Sequence, residues 1–330
     1  MIYEYAVEPR LVAKWALEGT GRMVGQFGMD HRWLVSDFPK DWVSEVWGAL
    51  YEHFGYDDGS LDFQNTKPIL DAYVQILGEH VIRRTVSIPT TERWIDAALG
   101  EHVRRPFHAI VADQGVPENR AVITLDVIDD VRDARWYLPT VEPSPKSAAQ
   151  IAEVLRPLVA RAREIVIVDP YFKAEERFTA PLAAILGASV RDREPELGLP
   201  RVVVMTGVDH AHSPLDPPFS SEEKLKVANN LLHWARQRLP SLLPAGIEIE
   251  FVCLTQAVGG DPLHNRFVMT DIGGAVMPYG TAARDDAAID DIQPMQKGIY
   301  LARWRQYARR QGVGIVRAGE VIRSALTTRP

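Results

Sequence analysis

Glu164-Ile165-Val166-Ile167-Val168-Asp169 is the stretch that decides the fold class. Its apolar residues are all β-branched and run without a polar break between two acids, which suits a strand covered on both faces inside a parallel sheet. Before it, Ser147 to Arg161 places Ile151, Val154, Leu155, Leu158 and Val159 on one helical stripe, with Pro157 as an interior flaw. After it, Arg177 to Leu186 reads as a helix containing Pro181, Arg201 to Thr206 as a second buried strand, Ser221 to Arg238 as a longer helix and Ile247 to Leu254 as a third strand. Ser220 and Glu223 form a capping-box pattern at the longer helix, where Glu222 and Glu223 also suit the positive helix end and would repel a phosphate. This alternation is that of βα units with right-handed crossovers, so an α/β domain with a mostly parallel sheet is expected.

The segment Pro139 to Lys146 carries Pro139, Pro143 and Pro145 and reads as a boundary. It divides the 330 residues into an N-terminal recognition or interaction domain, 1–140, and a second domain, 141–330. The first domain reads as α/β or α+β. Ile69 to Val81 has helical periodicity behind Pro68, and Ala109 to Ala112 and Ala121 to Leu125 read as strands. Six of the eight tryptophans, Trp15, Trp33, Trp42, Trp47, Trp94 and Trp136, fall here, where they supply a core more simply than a recognition surface.

A net charge of -7 and 25% charged residues exclude a broadly basic, polynucleotide-coating protein, so any nucleic-acid surface must be local. Met1 to Tyr5 does not open a secretory signal, and no stretch reaches the roughly eighteen apolar residues of a spanning helix. A cytoplasmic protein without integral membrane association is expected. The single cysteine, Cys253, lies in an apolar strand pattern and reads as a small buried hydrophobe.

The chemistry concentrates after the third strand, in Leu263-His264-Asn265-Arg266-Phe267-Val268-Met269-Thr270-Asp271-Ile272-Gly273-Gly274. A strand beginning near His264 would put His264 and Arg266 on one face by period-two alternation. Neutral imidazole can attack phosphorus and imidazolium can donate a proton, while the guanidinium fork can clamp nonbridging oxygens. Asp271 is a candidate for orienting the imidazole. Asp169 and Tyr171, just beyond the first strand, are further candidate contacts, with turn formation and packing as alternatives for each. Asp209-His210-Ala211-His212 follows the second strand, where His210 and His212 suit a metal, substrate recognition or a polar loop. From Lys297 onward, Lys297, Arg303, Arg305, Arg309, Arg310, Arg317, Arg323 and Arg329 are opposed only by Glu320, which makes DNA or RNA a candidate partner and a solvated or protein-facing surface the alternative.

The run from His264 to Asp271 resembles the His-x-Lys-x4-Asp motif of the phospholipase D-like superfamily, with Arg266 in the lysine position. Ile165 to Phe172 resembles the first strand and turn of that fold, so the resemblance covers residues 147–315. It implies a three-layer domain and, through paired motifs, a covalent phosphohistidine formed without a cofactor. With one motif in this chain, the resemblance implies a homodimer or a partner protein that supplies the second half. A phosphodiesterase, most economically a nuclease, is the function expected, and similar domains occur in bacterial defence. The alternatives are a noncatalytic phosphate-sensing or protein-interaction module and, less favoured, a phosphotransferase or phospholipid-processing enzyme.

Overall fold

A computed structural model describes the chain apart from residues 1, 80, 90, 117–118, 125–132, 134, 136–141, 146, 174, 192, 210–218, 257–262, 285–288 and 327–330, and apart from the side chains of 22, 142–145 and 318. The chain divides into two compact units, Ile2–Pro139 and Thr140–Pro330.

The N-terminal unit is built on β1 (Tyr3–Val7), β2 (Trp33–Asp37), β3 (Ile82–Arg83), β4 (Ala109–Val111) and β5 (Val122–Ile123). They form an all-parallel sheet of order β3-β2-β1-β4-β5. Period-two alternation along β1 sends Tyr5 and Val7 into one core with α1 (Pro9–Glu18), α2 (Trp42–His53) and α3 (Leu61–Gly78). Ala6 points the other way, into a second core with Ala98 of α4 (Trp94–Arg104), Phe38 and Phe107. Trp15, Trp33 and Trp42 are buried, and the Trp42 indole N–H donates to the Val7 carbonyl at 2.7 Å. Trp47 and Trp94 are partly buried, and Trp136 lies outside the described residues. Pro68 does not start a helix: α3 begins earlier, capped by Ser60, whose hydroxyl accepts from the Phe63 amide.

The second unit contains β6 (Glu142–Pro145), α5 (Ala148–Val159), β7 (Glu164–Val168), α6 (Glu176–Val190), β8 (Arg201–Gly207), α7 (Ser221–Arg238), β9 (Glu248–Thr255), β10 (Phe267–Thr270), β11 (Gly273–Val276), β12 (Ile289–Pro294), α8 (Lys297–Arg303) and β13 (Gly314–Arg323). Pro157 and Pro181 both lie inside their helices. The Ser220–Glu223 capping box forms at α7. Residues Glu142–Pro145, read from the sequence as part of a boundary, form an edge strand against β12.

The sheet order is β13-β9-β8-β7-β10-β11-β12-β6. Only β7–β8 and β8–β9 are parallel among the described pairings; the other five are antiparallel. The expectation of a mostly parallel C-terminal sheet is therefore overturned: the all-parallel sheet belongs to the N-terminal unit, and the C-terminal one is mostly antiparallel. The reason is physical. A continuous apolar run reports that both faces are covered and leaves strand direction open, whereas the two-residue turn Asp271-Ile272 between β10 and β11 can join only antiparallel neighbours.

Both faces of this sheet are covered. Cys253 packs against Ala228 of α7, and Phe251 on the same side meets Phe172. Phe267, out of phase with these in the register, packs against Tyr307 beyond α8. Among the described residues no helix is long and apolar enough to cross a membrane. Burial pushes the Cys253 thiol up to about 12. It should therefore resist a disulfide-exchange reagent in the native protein at neutral pH and titrate as one thiol only after denaturation, as followed by thiolate release.

Candidate functional site

The three parallel strands end on one edge, and the chemistry gathers there. Asp169 continues the ladder from β7, its amide donating to the Met205 carbonyl at 3.0 Å. Pro170 has no N–H to extend that ladder, and the Phe172 amide turns back to the Asp169 carbonyl at 2.9 Å. The turn buries Phe172 against Phe178, Trp234 and Phe251 and leaves Tyr171 partly exposed.

The Asp169 carboxylate is 1% exposed, so its charge must be met inside the protein. One oxygen accepts from the Tyr171 amide at 3.0 Å; the other accepts from the amide and hydroxyl of Thr281 at 2.9 and 2.8 Å. Arg266 supplies the counter-charge, its Nε 3.8 Å from Asp169 Oδ1.

β10 begins at Phe267, three residues later than the alternation argument requires, and His264 lies in the preceding turn. His264 and Arg266 are thus not brought together by strand periodicity. The pairing of Phe267 with Val168 sets Arg266 beside Asp169, and Tyr171 makes the junction. The Tyr171 hydroxyl lies 2.7 Å from His264 Nδ1, with the two rings tilted by only 24°. The Arg266 guanidinium sits 4.4 Å over the Tyr171 ring and donates through Nη1 to the Pro278 carbonyl at 2.7 Å. Gly280, at φ +80°, closes the arrangement: a Cβ there would lie 2.8 Å from Arg266 Cδ and 2.9 Å from Asp169 Oδ2.

Pro278, Gly280 and Thr281 were not foreseen as site residues. Their signal was the turn-prone run Pro278-Tyr279-Gly280-Thr281, whose distance in sequence from His264 conceals that it meets Asp169.

Asp271 lies at the far end of β10. Its Oδ1 accepts from the Arg163 and Glu164 amides at 2.8 and 3.2 Å, tying the start of β7. At about 3.3 Å per residue the intervening strand holds it roughly 16 Å from Arg266, so it does not orient His264.

His210 and His212 lie outside the described residues. Among the described ones no group of three or more potential metal ligands converges. Asp209, at the same carboxyl edge, receives Lys224 at 2.9 Å and the Gln256 amide at 2.8 Å. Burial would raise its carboxyl, but Lys224 and the amide and hydroxyl donors outweigh that and hold it below the usual range.

Three of the eight basic residues of the C-terminal run pair with carboxylates of their own unit. Arg309 faces Glu164 at 3.6 Å, Arg323 faces Glu248 at 2.6 Å, and Arg310 pairs with Glu250. Arg317 donates to Asn229, and Glu320 takes Arg236. Glu164 starts β7 and Glu248 starts β9, so these anchors lie toward the end of the strands opposite His264.

A separate crevice of about 1190 Å³ opens at the carboxyl edge of the N-terminal sheet, around Glu8, Lys14, Lys40, Trp94 and Asp113. Three of its cations are already paired, Arg10 with Glu52, Lys14 with Asp113 and Arg93 with Asp96.

No protein-family model matches this chain, and no curated protein does. Among solved structures, phosphatidylserine synthase of Haemophilus influenzae Rd KW20 is similar over 75% of this chain, with 15% identity and a TM-score of 0.31. The likeness is weak and partial. The chain spans about half of that enzyme, 53% of its length, and a TM-score this low carries no argument about fold or activity.

The geometry separates the two aspartates. Asp169→Ala would strand the Thr281 donors, the Tyr171 amide and the Arg266 charge, costing about 3 kcal/mol or more. Asp271→Ala should cost about 1–2 kcal/mol. Urea unfolding of both variants measures the contrast.

Proposed function

We propose that this chain is a phosphodiesterase acting through His264, with Arg266 as the clamp on the phosphoryl oxygens. The observation that carries the reading is the joining of the His264 imidazole and the Arg266 guanidinium through Tyr171, at the edge where three parallel strands end. With Nδ1 engaged by Tyr171, Nε2 is the nitrogen that meets phosphorus. Attack forms the P–N bond and breaks the P–O bond to the leaving group, and Arg266 stabilises the charge on the nonbridging oxygens. A proton must reach the departing oxygen, and water must then cleave the phosphohistidine. A second His264, from a second copy in a symmetric assembly, supplies that acid and base.

The substrate reading is a nuclease, a narrower proposal than the chemistry. Pairing of Arg309, Arg310 and Arg323 with carboxylates weakens the case for the C-terminal run as the polynucleotide surface, so contacts to a strand would come from the edge that carries His264 and Arg266. A second reading is a noncatalytic phosphate sensor. The ion pair between Arg266 and the buried Asp169 favours it, since that pair needs no substrate to explain it.

Hydrolysis of a chromogenic phosphodiester, single-stranded DNA and RNA, measured beside the solution mass, tests both. The phosphodiesterase reading expects a dimer, a loss of about 10³-fold or more in His264→Ala and about 10²-fold in Arg266→Ala. Phosphate binding without turnover of any diester by the wild type supports the sensor instead, and full activity in His264→Ala rules out the covalent route.

A further inference from the structure

Tyr171 does more than fill the turn after β7. Its hydroxyl is 2.7 Å from His264 Nδ1, while its ring carries the Arg266 guanidinium at 4.4 Å. A phenol hydroxyl can donate or accept, so distance alone leaves the proton unassigned. The cation over the ring biases the resting direction. A guanidinium drawing on the ring's π-electrons makes the phenol a better donor and a poorer acceptor. When the O–H donates to Nδ1, the neutral imidazole keeps its own proton on Nε2.

We propose that Tyr171 is a positioning residue that holds resting His264 in the Nε2–H tautomer, making the imidazole and Arg266 a joint donor pair for one oxyanion. The identity of that anion as phosphate rests on the reading above; the tautomer does not. The proposal also says how one sequence can serve two roles. In an attacking copy, Nε2 must carry the lone pair, so Nδ1–H donates to the Tyr171 oxygen and the phenol proton turns away. In the acid copy, the resting arrangement already has the proton on Nε2 to give to the leaving oxygen. A carboxylate in place of Tyr171 could only accept and would fix one tautomer. The hydroxyl lets two identical chains take opposite tautomers against the same neighbour.

The test uses the full-length chain labelled with ¹⁵N-histidine, with His264→Gln to identify the His264 signals, at a pH where the imidazole is neutral. Long-range proton–nitrogen spectra of the wild type should show Nε2 protonated and Nδ1 as the acceptor, and inorganic phosphate should shift them. Tyr171→Phe keeps a ring under Arg266 and removes the donor. It should relax His264 toward a mixture of tautomers and weaken phosphate about threefold to tenfold. Tyr171→Leu also removes the ring, releases Arg266 and should weaken phosphate further. A wild-type His264 protonated on Nδ1, or an unchanged tautomer in Tyr171→Phe, would each overturn the proposal, whereas no response to phosphate in a wild type that shows the tautomer effect would overturn the assignment of the anion as phosphate. Absence of diester hydrolysis by a wild type that shows the tautomer effect would overturn the phosphodiesterase reading and leave this one standing.

Discussion

The buried carboxylate of Asp169 is the constraint on which the candidate site depends. A carboxylate at 1% exposure is tolerable only with its acceptor capacity filled and its charge opposed. Thr281 and the Tyr171 amide fill the acceptors, and Arg266 opposes the charge. Each of those partners comes from a different part of the chain, so satisfying one charge gathers the end of β7, the approach to β10 and the loop after β11. The same demand fixes the Arg266 side chain, and Arg266 in turn rests on the ring that holds His264.

This explains why arginine rather than lysine suits position 266. A guanidinium can sit over the Tyr171 ring, donate to the Pro278 carbonyl and stay near Asp169 at once. An ammonium is a compact point charge and cannot span three such partners at once. The arrangement also narrows what Arg266 can offer a ligand, because part of its donor set is already spent on the fold. Under the proposed reading, an oxyanion would meet the remaining N–H groups and the imidazole together.

Much of the C-terminal unit was legible in the sequence. The apolar runs of β7, β8 and β9 and the Ser220–Glu223 box each rest on a local rule, and each element lies within a residue or two of its expected bounds. What failed was long-range. Strand direction depends on connection length, and burial on both faces looks the same in parallel and antiparallel neighbours. The alternation of His264 with Arg266 presumed a strand that starts only at Phe267, and Asp271 was judged by spacing when β10 carries it to the opposite end of the sheet. The ion pairs of Arg309, Arg310 and Arg323 were likewise invisible in the sequence, because Glu164, Glu250 and Glu248 lie far away along the chain.

The most direct measurement of the central claim is a crystal structure of the intact assembly with vanadate. The account predicts one vanadate with its oxygens in hydrogen-bond reach of both His264 Nε2 and Arg266, while Asp169 keeps Thr281. Vanadate bound elsewhere, or excluded because His264 turns away from an Arg266 still seated on Tyr171, would contradict it.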